Sequence, residues 1–176
     1  MTKRPNLDFV FKIPRSCNGC TACCSGALSA NIHGLRMSRG TPCHFRQEGG
    51  CAIYENRPQL CKDFRCTWLD NRAMPEWMWP KKSNVIVMYR RVDDLPYYSV
   101  VETEEKMSAQ TLSWLVQWAL RCKLNRVYCV EGTTEIIGSE EFKQAFANKN
   151  RPKKETNESN TGVQPAGGVD GAPASN

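Results

Sequence analysis

Residues 17–24 read CNGCTACC and residues 51–61 read CAIYENRPQLC. With Cys43 between them and Cys66 just beyond, these two stretches hold eight of the chain's ten cysteines. Cysteine at that density is either a disulfide framework or a set of metal ligands, and the redox compartment decides between them. The opening residues, MTKRPNLDFVFKIPR, are broken by Asp8, Lys12, Pro14 and Arg15 and so do not read as a secretory signal. No window approaches the ~20 apolar residues that a membrane span needs. The expectation is a cytoplasmic protein with no membrane partner, whose reduced thiols take a metal.

Spacing points the same way. Cys17, Cys20 and Cys23 are separated by two residues each, the interval at which a tight turn aims two thiolates at one ion. Gly19 lies inside the first pair, where such a turn can require positive φ. In a helix Cys20 would share a face with Cys17, Cys23 and Cys24. In an extended segment Cys23 and Cys24 would point to opposite faces and serve two centres. Eight thiolates divide into two sets of four, which fits two tetrahedral zinc ions, or zinc and iron-sulfur ligation in some mixture. The opening CxxCxxC also begins the bacterial ferredoxin run, but there three residues and a Cys-Pro pair follow, whereas here Cys24 comes at once.

The segment from Cys17 to Cys66 resembles the YkgJ-like cysteine-cluster family of zinc- or iron-chelating proteins, marked by CxxCxxCC and then CxIYxxRPxxC. The matching residues are Cys17, Cys20, Cys23 and Cys24, then Cys51, Ile53, Tyr54, Arg57, Pro58 and Cys61, with Phe64 beyond. The resemblance implies that Cys17, Cys20, Cys23, Cys24, Cys43, Cys51 and Cys61 are metal ligands. Cys66 lies outside the RPxxC core and enters as the eighth thiolate by count. What the resemblance implies is a metal cofactor, zinc or iron, with an iron-sulfur cluster as one form of the latter, and no reaction.

The charge distribution is consistent with anionic centres. Residues 1–92 carry fifteen Lys and Arg against six Asp and Glu, while residues 93–176 carry nine against twelve. A tetrathiolate zinc site has a net charge of about minus two, so cations near the cysteines compensate it. Arg57 is the sharpest candidate, and Tyr54 and Phe64 are aromatic residues placed to shield thiolates or fill a core. His33 and His44 have no diagnostic ligand spacing. A basic segment also admits a zinc-stapled module for a nucleic acid or a protein client, but finger spacing and a recognition helix are missing. No HExxH, paired carboxylates or nucleophile triad is visible, so hydrolytic chemistry has no machinery, and a redox role arises only with iron-sulfur.

The remainder predicts an α+β fold. Trp68, Trp77 and Trp79, with Met74, Met78 and prolines, form an apolar loop read as core shared by both halves. Strands are expected over 84–92 and 96–102 as a hairpin turning at 93–95, then a helix over 104–123. That helix is expected to bury Leu112, Leu115, Val116, Ala119 and Leu120, with Trp114 and Trp118 widening the stripe. A strand over 126–131, a turn or short strand between Gly132 and Gly138, and a helix capped by Ser139 and ending near Ala147 complete it. Cys122 and Cys129 read as small buried apolar residues. The organisation is a metal-stapled cysteine lobe with few regular elements over 1–80, an α+β lobe over 81–147, and a disordered tail over 148–176. The cysteine lobe has few large aliphatics, so a structural zinc worth ~10–16 kcal/mol would dominate its stability.

Overall fold

The computed structural model describes residues 15–17 and 19–151. It is a mixed α and β structure, and its first third is made of very short elements. β1 (Ala30–Ile32) pairs antiparallel with β2 (Leu35–Met37), and β3 (Arg46–Gln47) pairs antiparallel with β4 (Gly50–Cys51). Hairpins of this size are marginal alone in water. The first is held on a small cluster of buried Ile32, Met37 and Cys43. Gly26 sets the entry to this region: its φ is 89°, and a Cβ there would stand 2.6 Å from the Ser38 carbonyl oxygen.

Three one-turn helices follow, α1 (Gln59–Asp63), α2 (Thr67–Asp70) and α3 (Pro80–Ser83), with a 3-10 turn at Glu76–Met78. Pro58 stands just before α1 in an extended conformation and Pro80 opens α3, both places where a missing N–H costs nothing. The tryptophan loop turns inward, as expected of a shared core. Trp68, Met74 and Met78 are buried in one cluster with Val85, Val87, Leu115 and Trp118, and Trp77 and Trp79 pack against it. Arg15 fastens the loop. Its buried guanidinium donates to the carbonyls of Trp68, Asn71 and Met74 and to the Glu76 carboxylate, and lies 4.5 Å from the Trp68 ring centroid.

The second part is a four-stranded sheet in the order β5-β6-β7-β8. β5 (Val85–Val92) and β6 (Leu95–Glu102) form the expected hairpin, with register Val85↔Glu102 through Val92↔Leu95. Asp93 adopts φ 48°, the left-handed backbone that a two-residue hairpin turn needs. Helix α4 (Ala109–Cys122) carries the chain back so that β7 (Asn125–Val130) lies parallel to β6, and β8 (Thr133–Ile137) closes the sheet antiparallel to β7. The stretch between Gly132 and Gly138 is therefore a strand. The final helix, α5 (Glu140–Lys149), is capped by Ser139, whose Oγ accepts from the Phe142 N–H at 3.2 Å.

α4 departs from its expected form in two ways. It begins at Ala109, five residues after Glu104, because residues 103–108 have other partners. Ser108 caps the helix through the Thr111 N–H, the buried Glu102 carboxylate takes the Met107 N–H at 3.0 Å and the Glu131 N–H at 3.1 Å, and Glu104 pairs with Arg46. Its buried face is also rotated: Thr111, Leu115, Trp118 and Ala119 are buried, whereas Leu112, Val116 and Leu120 are 47%, 46% and 72% exposed. Aromatic rings choose the face. Trp118 lies 4.4 Å from Tyr98, stacks on Trp114 at 5.4 Å, and Trp114 meets Trp77 edge-on at 6.0 Å. Turning the aliphatic row inward would break that ring series, which joins the helix to both the sheet and the tryptophan loop.

α5 runs two residues past its expected end, so Asn148 and Lys149 are helical and not tail. The reading of the rest of the tail, 152–176, and that of the opening residues 1–14 lie outside the described residues. Among the described residues no helix is long and apolar enough to cross a membrane.

Candidate metal centre

The CxxCxxCC run folds as a turn followed by a 3-10 segment. Cys20 N–H donates to the Cys17 carbonyl at 3.0 Å, with Gly19 at φ 72°, and Ala22–Ser25 then form the 3-10 turn that carries Cys23 and Cys24. The adjacent pair is thus not extended. Its two sulfurs lie 3.7 Å apart. The other cysteines arrive from separate elements: Cys43 from the connection before β3, Cys51 from β4, Cys61 from α1, and Cys66 from the cap of α2. All ten cysteines are free thiols.

Electrostatic contacts sort the eight sulfurs. Cys17, Cys20 and Cys23 act on one another, and Cys66 feels Cys17 and Cys20. Cys43 feels Cys24 and Cys51, and Cys61 feels Cys24, Cys43 and Cys51. The Cys23–Cys24 contact joins a first set (Cys17, Cys20, Cys23, Cys66) to a second (Cys24, Cys43, Cys51, Cys61). Cys66, which the family pattern left outside, belongs to the first. The sets are defined by electrostatic reach and not by coordination geometry: among the described residues, no three His, Cys, Asp or Glu side chains are arranged as a ready ligand group for an ion.

The backbone favours charged sulfur at several of these positions. Burial pushes the Cys20, Cys43 and Cys66 thiols up, and amides oppose it: Ala22 and Lys81 donate to Cys20, Phe45 to Cys43, and Leu69 and Trp68 to Cys66. Three of those amides sit two residues after the cysteine they serve, a turn geometry that stabilises thiolate. Burial and the neighbouring sulfurs push Cys61 up. Within the adjacent pair Cys23 is pushed up by its hydrogen bond with Cys24 and by burial, while Cys24 is lowered to about 7, chiefly by that same hydrogen bond and with help from the Arg46 charge.

Among the buried donors that lack a conventional acceptor, two belong to residues already placed beside the cysteines. The indole N–H of Trp79 is one, and the Cys20 sulfur is the group it favours in charged form. Nε of Arg57 is the other. Arg57 is no free surface cation, since its guanidinium lies 4.0 Å from the Tyr54 ring centroid and donates to the Tyr54 carbonyl at 2.7 Å. Tyr54 in turn places its hydroxyl 3.9 Å from the Cys17 sulfur. Tyr54, Arg57 and Phe64 line a cavity of about 220 Å³ together with seven of the eight cysteines, all but Cys66.

Sequence reasoning missed Arg46, Trp79 and Lys81, whose ammonium donates to the Gly19 carbonyl at 3.3 Å. None of them carries a motif; they reach the sulfurs only because α3 and β3 fold over the cysteine turn. His33 and His44 are exposed, and both rings meet Phe45 edge-on, at 5.6 and 5.7 Å. Cys122, expected to be buried, is exposed at the end of α4, and Cys129 is half-buried, 4.0 Å from the Thr134 hydroxyl. No protein-family model, curated protein or solved structure matches this chain.

Proposed function

We propose that the cysteine-rich segment is a cytoplasmic metal-binding module that chelates zinc or iron in one or two thiolate centres, two being the number its eight cysteines favour; the resemblance to YkgJ-like proteins implies the metal. The observation that carries this reading is the convergence of eight free thiols from separate segments, seven of them on one cavity, with Cys17, Cys20, Cys23 and Cys66 packed in the main core and Cys24, Cys43 and Cys61 in a second cluster. Sulfur donors without carboxylate partners suit zinc or iron-sulfur ligation and not hard cations such as magnesium or calcium. A bound ion would supply a cross-link between segments distant in the chain. This chain's own residues do the rest. The amides of Ala22, Phe45 and Trp68 favour the thiolate form at Cys20, Cys43 and Cys66, the Trp79 indole offers Cys20 a further donor, and Arg46 and Arg57 bring positive charge to the second set. Tyr54 and Phe64 shield the sulfurs from water.

Elemental analysis with an absorption spectrum on protein isolated without oxygen tests the reading. About two zinc ions per chain and no visible colour are expected for closed tetrathiolate sites. A brown protein absorbing broadly near ~400 nm would instead make this an iron-sulfur redox component serving an oxidoreductase. Folded protein with no stoichiometric metal would end the proposal.

A further inference from the structure

The two sets of sulfurs are embedded very differently. Cys66 is a buried member of the main core, and Cys17, Cys20 and Cys23 pack against that core. The segments that carry or brace them, α2, α3 and the 3-10 turn at Ala22–Ser25, all rest on β5, whose first four residues are buried. Trp68, Met78 and Val85, all buried, belong to the same cluster.

The second set stands on weaker ground. Its local core is the cluster of three buried residues around Cys43. Cys51 belongs to a two-residue strand, and Cys61 to a one-turn helix that buries no residue. Its four cysteines line the 220 Å³ cavity, as do Cys17, Cys20 and Cys23, so the two sets differ in how they are packed and not in their access to the cavity. Segments with few buried contacts open at low free-energy cost, well below that of global unfolding. An adjoining cavity also leaves room for an incoming ligand beside the sulfurs.

Resting on the metal-binding reading, we infer that the two centres have different jobs: Cys17, Cys20, Cys23 and Cys66 hold a permanent structural ion, and Cys24, Cys43, Cys51 and Cys61 form an exchangeable site whose ion is cargo. Exchange needs no redox step. Thiolates of the second set leave the ion one at a time as donors of an acceptor replace them, and each released sulfur takes up a proton from water.

The test is zinc release from the zinc-loaded full chain into excess chromophoric chelator. Two phases are expected, one ion in each, differing in rate by at least about tenfold, a barrier difference of about 1.4 kcal/mol. Cys61→Ser and Cys51→Ser should each abolish the fast phase, leaving one slowly released ion and an intact near-ultraviolet tryptophan signal. Cys66→Ser should remove the slow phase, and if that variant does not fold, the two second-set variants still decide. Release of both ions in a single phase, or loss of the slow phase in Cys61→Ser, overturns the division of labour while leaving metal binding intact. A chain that takes up no zinc overturns both readings.

Discussion

The cysteine segment and the sheet lobe reach order by opposite means. From Val85 onward the chain invests in long elements: two eight-residue strands in continuous register, a fourteen-residue helix, and Ser108 and Ser139 each capping a helix with their own hydroxyl. Each buries apolar surface on its neighbour, so cohesion arises from the chain itself. Among the described residues up to Ser83 no strand exceeds three residues and no helix exceeds five, and what gathers there is sulfur. Apart from the tryptophan loop, which joins the main core, that segment has only the small cluster of Ile32, Met37 and Cys43 to offset its conformational entropy. The contrast teaches that one continuous chain can combine a sheet of long elements with a region of short ones, whose order, on the proposed reading, metal cross-links would support.

Removing the cross-links should have the largest effect. With a structural zinc worth ~10–16 kcal/mol, a strong chelator is expected to abolish the near-ultraviolet circular dichroism of the tryptophan loop while the far-ultraviolet helical signal largely persists. If neither signal changes, the two regions do not differ as described. The converse perturbation is Phe142→Ala. This ring is fully buried against Val92 and Val127, in a cluster that contains none of the eight clustered cysteines, so its loss should cost ~3–5 kcal/mol in denaturant unfolding without lowering the bound metal. A variant that lost metal in proportion to stability would show the two regions to be one cooperative unit.

A smaller effect probes the seam between them. The Arg46 hydrogen bond holds the Glu104 carboxyl below its usual range. A carboxylate lowered in the folded state stabilises above its unfolded value, and that contribution disappears as pH falls through the lowered one. The stability difference between the native protein and Glu104→Gln should therefore be present at neutral pH and vanish on acidification, and it should not exceed about 1 kcal/mol because the Glu104 side chain is about half exposed. A difference independent of pH would remove this link. Smallest of all should be Leu120→Ser on the outer face of α4, within about 0.5 kcal/mol of wild type, against ~2–5 kcal/mol for Leu115→Ala on the inner face. Equal costs would restore the aliphatic face that periodicity suggests.

Much of the sheet lobe was legible beforehand because its signals are local. β-branched runs on either side of Asp93–Asp94 spelled a hairpin, and Ser139 followed by two acidic residues spelled a helix start. The faces of α4 were not legible in the same way. Leu112, Val116 and Leu120 form as good a stripe as the one that is buried, and only Tyr98 and Trp77, brought in by other elements, decide between them. At the candidate site the eight cysteines were evident from spacing and count. Their partition was not, because Cys23 and Cys24 are neighbours in the chain yet belong to different sets, and Arg46 and Trp79 reach the sulfurs from segments with no motif of their own.

What the sequence determined by itself was chemistry and local shape: reduced sulfur in quantity, turns where glycine and proline demand them, strands and helices where apolar residues recur at the right period. Those properties depend on residues a few positions apart. Which sulfurs share a set, which stripe of α4 faces inward, and which cations attend the thiolates were settled only by the tertiary fold. Each is a contact between residues far apart in the chain, and its free energy exists only once both segments are packed in place.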